Sequence, residues 1–289
     1  MGEKVINCRS SQEYIFGYLG KLPLKATFFP ATKVKGCILY FHGGGFVFGH
    51  RNDLPTVYRQ LLVEAGYTVI TLDYPLAPEA DLTTIYLAAK RGVDWFIEEG
   101  WRYSGHTNSD YILFGRSAGG YLATLLTTAA PYASQKGLIR FYGYQQLLDP
   151  RFLAPSAYYL HYPKVTPSSA QHLKRTSPVT SGELSERFPL YLSARQFGNW
   201  HTYLGKRQTL LELDKQIQDF PNLMPTFLAH CENDPDVPVQ QSKDFANQLI
   251  QTETYWLSQA EHDFDRQETP FADRCYRQLI GWLDQVGKR

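Results

Sequence analysis

The chain predicts an α/β fold: a doubly wound, mostly parallel sheet with helices on both faces. Two observations carry that expectation. Short continuous apolar runs recur along the chain, as strands buried on both faces require, and Gly36–Phe41 and Tyr67–Leu72 are the clearest. Between such runs lie longer stretches with helical periodicity. Strand–helix alternation of this kind sets successive strands side by side and parallel. At 289 residues the chain reads as one domain, 1–289, in which 148–221 forms a lid or cap insertion.

In chain order, 14–19 and 24–29 form an opening strand pair with Lys21-Leu22-Pro23 between them. Gly36–Phe41 is a buried strand and 54–64 is helical in pattern. Tyr67–Leu72 is a further strand, rich in β-branched Thr68, Val69, Ile70 and Thr71. A long helical pattern covers 78–99. The segment 111–114 is a strand, 121–128 a helix and 138–142 another strand. The rhythm then breaks. From about 148 to 221, Tyr, Pro, Ser and His are frequent and no strand pattern shows; long insertions near ligand sites often act as lids. Alternation resumes with a strand at 226–230, a helix at 240–251, a strand at 253–257 and a final helix at Pro270–Val286.

Composition narrows the partners. Basic and acidic residues nearly balance, 29 against 28, so neither nucleic acid nor an anionic membrane is expected. No apolar stretch reaches the ~18 residues of a membrane span. The opening residues lack the apolar core of a signal peptide, and Met1-Gly2 is a poor match to an acylation signal because Asn7 lies beyond the Ser/Thr position. Cys8, Cys37, Cys231 and Cys275 have neither metal-knuckle nor redox spacing. Cys37 and Cys231 lie in apolar runs and read as buried thiols, which fits a reduced, cytoplasmic setting. No metal and no organic cofactor is implied. A homodimer is compatible with the sequence.

The most informative motif is Gly115-Arg116-Ser117-Ala118-Gly119, between a strand and a helix. That layout reads as a nucleophile elbow, with a serine hydroxyl exposed on a strained turn and glycines where side chains would collide. The pentapeptide alone arises by chance in roughly one chain in ten of this length, so its surroundings decide. A serine needs a base to take its proton, and the base needs an orienting acid. In a doubly wound sheet both should stand just past the C-terminal ends of strands.

Two such positions follow Ser117. Asp234 lies just beyond strand 226–230, followed by Pro235 and with Pro238 four residues on; Asp236 and Glu232 are weaker choices in the same loop. His262 lies on the loop after strand 253–257, before the last helix. Of the eight histidines it alone combines that place with the order Ser, Asp, His. His230, at a strand end, is its nearest rival and reads as a buried structural residue. Upstream, Phe41-His42-Gly43-Gly44-Gly45-Phe46 can aim backbone N–H groups at a developing oxyanion, and such donors are worth about 3–4 kcal/mol each. Gly44, Gly45 and Ala118 are the assigned donors. A phosphate-binding glycine loop is disfavoured because no such motif follows the strand. Phe46, Phe48 and Trp200 are the expected substrate contacts, and the lid adds Tyr158, Tyr159, Tyr162, Phe197 and Tyr203.

His42-Gly43-Gly44-Gly45, Gly115-x-Ser117-Ala118-Gly119-Gly120 and Tyr74-x-Leu76-Ala77-Pro78-Glu79 together resemble the α/β-hydrolase family, and within it the hormone-sensitive-lipase-like carboxylesterases. The resemblance runs from about residue 36 to the C-terminus. It implies an α/β-hydrolase fold and hydrolysis of small carboxylic esters, short-chain or aromatic, through an acyl-enzyme. Ser117, Asp234 and His262 would be nucleophile, acid and base, and Pro78 and Glu79 would brace the oxyanion region. The sequence departs from the pattern in two places: Arg116 stands where an acidic residue is usual, and Pro75 where an arginine is. The residues before His42 are also too few for the full helical cap of many members, so the cap must come mostly from 148–221. An amide hydrolase of arylformamidase or peptidase type would use the same chemistry. A non-catalytic binding protein on the same scaffold would have lost one of these residues, and none is missing.

Overall fold

A computed structural model describes residues 10–129, 133–220 and 224–287. Cys8 and the Met1-Gly2 opening lie outside the described residues. Strands β1 (Gln12–Leu19) and β2 (Leu22–Phe29) form an antiparallel hairpin. Gly20, with φ +59°, makes the turn with Lys21, so the strand resumes at Leu22 rather than beyond Pro23. Next come β3 (Gly36–Phe41), α1 (Thr56–Glu64), β4 (Tyr67–Leu72), α2 (Leu82–Glu98), β5 (Tyr111–Arg116), α3 (Ala118–Ala129) and β6 (Gln135–Phe141). Four helices follow before the sheet resumes: α4 (Pro167–Gln171), α5 (Leu184–Gln196), α6 (His201–Leu204) and α7 (Arg207–Gln218). The chain closes with β7 (Thr226–Cys231), α8 (Gln240–Ala246), β8 (Thr252–Leu257) and α9 (Pro270–Val286).

The strands form an eight-stranded sheet in the order β1-β2-β4-β3-β5-β6-β7-β8. β2 runs antiparallel to β4, and β3 to β8 are mutually parallel. Strand order reverses at β3: the chain first crosses to β4 on one side, then to β5 on the other. In open α/β sheets a crevice opens at such a switch, above the C-terminal strand ends.

Side-chain alternation builds a core on each face. Leu39, Leu113 and Leu138 pack with α2 and α3 through Ile85, Ala89, Leu122 and Leu125. Their neighbours Ile38, Ile112 and Ile139 pack on the other face with α1 and α9 through Leu62, Leu279 and Leu283.

Element ends follow local chemistry. α2 begins at Leu82, not at Pro78, because the Asp81 carboxylate caps it by accepting from Thr84 N at 2.8 Å. β6 begins earlier than its apolar run suggests, since Gln135 is buried with its amide donating to Thr127 Oγ1. α8 stops at Ala246 instead of reaching residue 251. Beyond it Gln248 and Leu249 bond three residues back, to Phe245 and Ala246, a tightening typical of a helix end. Among the described residues, the segment between β6 and β7 carries helices and no strand of the sheet, with Gly182 forming a single bridge to Gly49. Leu39→Ala in the central sheet should cost about 2–5 kcal/mol, whereas Leu87→Ala on the exposed side of α2 should stay within about 0.5 kcal/mol. Urea titration of the two variants checks the contrast.

Candidate active site

Ser117 follows β5 with φ +52°, a left-handed conformation. Its amide donates to Phe141 O at 2.9 Å, and its carbonyl accepts from Gly120 N as α3 begins. A Cβ on Gly115 would sit 2.0 Å from Gly119 O, and one on Gly119 would sit 2.1 Å from Phe41 O. Neither position accepts a side chain, so the glycines are what let the turn close against the end of β3.

The Ser117 hydroxyl lies 2.8 Å from His262 Nε2, and His262 Nδ1 lies 2.7 Å from Asp234 Oδ2. The Asp234 side chain has no exposed surface and is held on both oxygens. Its Oδ1 accepts from the amides of Asp236 and Val237 at 2.8 and 2.9 Å. Its Oδ2 also faces His230 Nε2 at 3.0 Å. His230 donates from Nε2 toward Asp234 and Val237 O, which leaves its Nδ1 to accept from the Ser242 hydroxyl at 2.7 Å. His230, the rival histidine, therefore acts here as a buried support for Asp234.

The rival carboxylates are engaged elsewhere. Asp236 is bound by Arg195 at 2.5 Å and by the Tyr191 hydroxyl at 3.0 Å, and stands 3.9 Å from His262 Nε2. Exposed Glu232 pairs with Lys243.

Electrostatics set the protonation states. Burial alone would raise the Asp234 pKa, but the His262 charge and the His230 and His262 hydrogen bonds hold it well below the ordinary carboxylate range. Burial opposes charge on His262, yet Asp234 outweighs it, and with Asp236 and Asp263 adding, the pKa rises above the usual value. Burial keeps His230 below that value.

The glycine loop after β3 is a tight turn. Gly44 (φ +90°) accepts at its carbonyl from both Val47 N and Phe48 N, and Gly45 has φ +58°. A Cβ on Gly45 would lie 2.3 Å from the Tyr191 ring. Among the described residues no hydrogen bond uses the amides of Gly44, Gly45 or Ala118, so they remain available to an incoming oxygen. Phe46 (φ +64°) and Tyr142 (φ +37°) are, with Ser117, the non-glycine residues at positive φ among the described residues. All three border this site, the kind of place where backbone strain concentrates.

A cavity of about 740 Å³ opens over Ser117 and His262. Phe48 lines it, as do Tyr158, Tyr159 and Tyr162 from the segment between β6 and β7. Phe46 and Trp200 do not, which corrects the expectation that they contact substrate. Phe46 is fully buried against Tyr74 and Tyr121. Trp200 lies behind the glycine loop and donates its indole N–H to Gly45 O at 2.9 Å. Phe197 and Tyr203 are likewise absent from the wall.

Helix α5 supplies residues that the sequence reading missed. Arg187, Tyr191 and Arg195 repeat every four residues and so share one face. Arg187 donates to Val47 O and Ala77 O at 2.6 and 2.8 Å and pairs with Glu79 at 2.6 Å. This seats Glu79 beside the glycine loop. Tyr191 and its neighbour Phe188 line the cavity, and Arg195 binds Asp236. The four-residue spacing was a readable signal, masked by Pro189 within the helix. Among the described residues no group of three or more His, Cys, Asp or Glu side chains is arranged to hold a metal ion. Also among them, no helix is long and apolar enough to cross a membrane.

Comparison with known proteins now adds to this geometry. A family model described as the alpha/beta hydrolase fold matches residues 38–264. The chain belongs to the α/β-hydrolase family. Among solved structures, this α/β-hydrolase is similar to a Staphylococcus aureus protein of unknown function, at 28% identity and TM-score 0.82, over 96% of this chain and all of that one. An alpha/beta hydrolase superfamily protein from Enterococcus faecalis superposes with TM-score 0.79 at 25% identity, over 97% of this chain and 98% of that one. The esterase LipI of Mycobacterium tuberculosis is 37% identical over 93 residues, 32% of this chain and 29% of the esterase. This chain spans between 6% and 31% of the length of the curated relatives it matches.

The raised pKa of His262 has a measurable consequence. A neutral imidazole can accept the proton of the hydroxyl it faces and a protonated one cannot, so any Ser117 reactivity that draws on His262 is present above the His262 pKa and lost as pH falls through it. The rate of Ser117 labelling by a fluorophosphonate should therefore fall on an acid limb centred above the ordinary histidine value of about 6.5. Asp263→Asn, which removes one of the raising charges, should move that limb toward lower pH.

Proposed function

We propose that this α/β-hydrolase is a carboxylic ester hydrolase that works through an acyl-enzyme on Ser117. The single observation that carries the reading is the unbroken hydrogen-bond chain from Ser117 Oγ through His262 to Asp234, at 2.8 and 2.7 Å, beside unengaged amides. Ser117 attacks the acyl carbonyl while His262 Nε2 takes its proton. Asp234 accepts the Nδ1 proton and stabilises the imidazolium without itself being protonated. The new oxyanion accepts from the amides of Gly44, Gly45 and Ala118, and the N-terminus of α3 favours its charge. His262 then protonates the leaving alcohol, and a water deprotonated by His262 releases the acid. The esterase relative supports this chemistry.

The substrate we infer is a small ester, short-chain or aromatic in its acyl part. Phe48, Tyr158, Tyr159, Tyr162, Phe188 and Tyr191 form one connected aromatic wall, with Phe48 and Phe188 edge to face at 5.8 Å and Tyr159 and Tyr191 at 5.6 Å. Such rings bind flat apolar groups, and their hydroxyls tolerate polar edges. The residues between β6 and β7 act as the lid of this pocket. The buried free thiols of Cys37, Cys231 and Cys275 support a reducing, cytoplasmic setting.

Ser117→Ala should keep wild-type thermal stability and lose at least about 10⁴-fold in kcat on nitrophenyl acetate; residual turnover within tenfold of wild type would overturn the nucleophile assignment. Across a nitrophenyl ester series, kcat/KM should peak at short acyl or benzoyl groups, and a preference for long chains would overturn the substrate reading. Faster cleavage of formyl-arylamides or dipeptide amides than of matched esters would mark an amidase instead.

A further inference from the structure

Arg116 precedes the nucleophile at the position where the resembled esterases carry an acidic residue, and the reaction as proposed does not use it. Its side chain is 6% exposed. NH2 donates to Asp265 Oδ1 at 2.7 Å, and Nε donates to the Tyr142 hydroxyl at 2.6 Å, with the same Asp265 oxygen at 3.2 Å. The Tyr142 hydroxyl in turn donates to Asp265 Oδ1 at 2.5 Å, and the Tyr276 hydroxyl of α9 donates to Oδ2 at 2.6 Å. A weaker arm runs from Arg116 NH1 to the Tyr40 hydroxyl at 3.3 Å, which in turn donates to Asp53 at 2.6 Å. Asp265, with no exposed side-chain surface, is thus a fully satisfied hub joining β5, the end of β6 and α9.

Asp265 lies three residues after His262, on the loop between β8 and α9. That loop holds itself together weakly: among the described residues its one internal backbone hydrogen bond is Arg266 N to Asp263 O. It is fixed from outside: Asn233 donates to Ser258 O and Gln259 O at its start, Tyr58 bonds Gln267 O and Thr269 N at its end, and the Asp265 hub and ring packing hold the stretch between them, which carries His262. Phe264 packs on Phe141 and Tyr142 at 5.4 and 5.5 Å, and the Tyr142 ring stands edge to face with the His262 imidazole at 4.9 Å. Arg116 therefore ties the residue adjoining the nucleophile to the loop that carries the base.

We propose that Arg116 is a positioning residue: by pairing with Asp265 beneath the elbow, it holds His262 Nε2 at hydrogen-bond distance from Ser117 Oγ. The proposal rests on the ester-hydrolase reading of Ser117 and His262 and adds to it a residue outside the triad. The physical need is twofold. Without the guanidinium, Asp265 would be a buried carboxylate with no countercharge, and would have to protonate or pull its loop toward water. A displacement of about 1 Å at the base is enough to cost on the order of 100-fold in rate.

The test must separate position from stability, because removing one partner of a buried pair can unfold a protein. The double variant Arg116→Met with Asp265→Asn removes both charges of the buried pair, keeps a carbonyl acceptor for one tyrosine hydroxyl and offers an amide N–H to the oxygen of the other; Asp53, the carboxylate 3.9 Å from Arg116 NH1, keeps a partly exposed side chain. We expect it to fold, to hold KM within about twofold, and to lose about 10- to 100-fold in kcat on nitrophenyl acetate. The far-downfield proton resonance of His262 Nδ1–H should broaden or vanish in this variant while wild type retains it. Arg116→Lys, which keeps the charge but not the fork, should recover part of kcat. A folded double variant with wild-type kcat and an unchanged resonance overturns the proposal. If the double variant does not fold, Tyr276→Phe decides. It removes one donor to Asp265 from α9, outside the cavity, and should lower kcat several-fold at constant KM; unchanged kcat there overturns the proposal. If wild type hydrolyses no ester, the hydrolase reading fails, and the resonance still reports whether Arg116 places His262.

Discussion

Much of this structure depends on one close approach. The elbow after β5 presses against the end of β3, so that the carbonyls of Phe41 and His42 would lie 2.1 and 2.4 Å from any Cβ on Gly119. Gly115 is pressed in the same way against the Gly119 carbonyl. Only hydrogen fits at either point. Once the turn closes, Ser117 has no alternative to a positive φ, α3 starts directly behind it, and the glycine loop that leaves β3 is brought beside its hydroxyl. Strand order places the contact at the switch point of the sheet, where the crossover to β4 and the return to β5 diverge. Ser117 and the Gly44-Gly45 turn, more than seventy residues apart in sequence, become neighbours because two strand ends touch.

Around that contact, four buried carboxylates are each met by named partners. Asp234 is met by two histidines and two backbone amides, Asp236 by Arg195, Glu79 by Arg187, and Asp265 by Arg116. A buried charge is tolerated when its partner and hydrogen bonds replace the lost water, and removing one partner is costly. These pairs do more than neutralise. Each of the three arginine pairs joins segments distant in sequence at the cavity: Arg187 links α5 to the glycine loop, Arg195 links α5 to the Asp234 loop, and Arg116 links the elbow to the His262 loop. Loops that would otherwise move independently share rigid cross-links, which is what a hydrogen-bond chain of defined length requires.

The segment between β6 and β7 contributes to the cavity wall and to the glycine loop alike. Its helix α5 turns one stripe of residues toward the cavity, with Arg187 and Arg195 as anchors and Tyr191 between them against Gly45 and Asp236. The same stripe shapes the pocket and supports the glycine loop from behind, helped by the Trp200 bond to Gly45 O. Changes in this segment therefore act on both the cavity wall and the glycine loop.

The sequence by itself determined the alternation of strands and helices and the places of the motifs along them, because those signals are local. Gly36–Phe41, Tyr67–Leu72 and Pro270–Val286 are readable from apolar periodicity, and their bounds recur in the structure. Gly115-x-Ser117-x-Gly119, the three glycines after His42 and the strand-end places of Asp234 and His262 are readable because backbone strain and strand ends leave marks in residue type. Only the tertiary structure decided which of Asp234, Asp236 and Glu232 meets His262, since three carboxylates within five residues differ only in what folds against them. It likewise moved Phe46 and Trp200 from the pocket to its supports, and α5 from an irregular stretch to a stripe of contacts. Arg116 shows the same division: its departure from the family pattern is visible in one dimension, but its partner lies 149 residues away, and only the folded chain brings the two together.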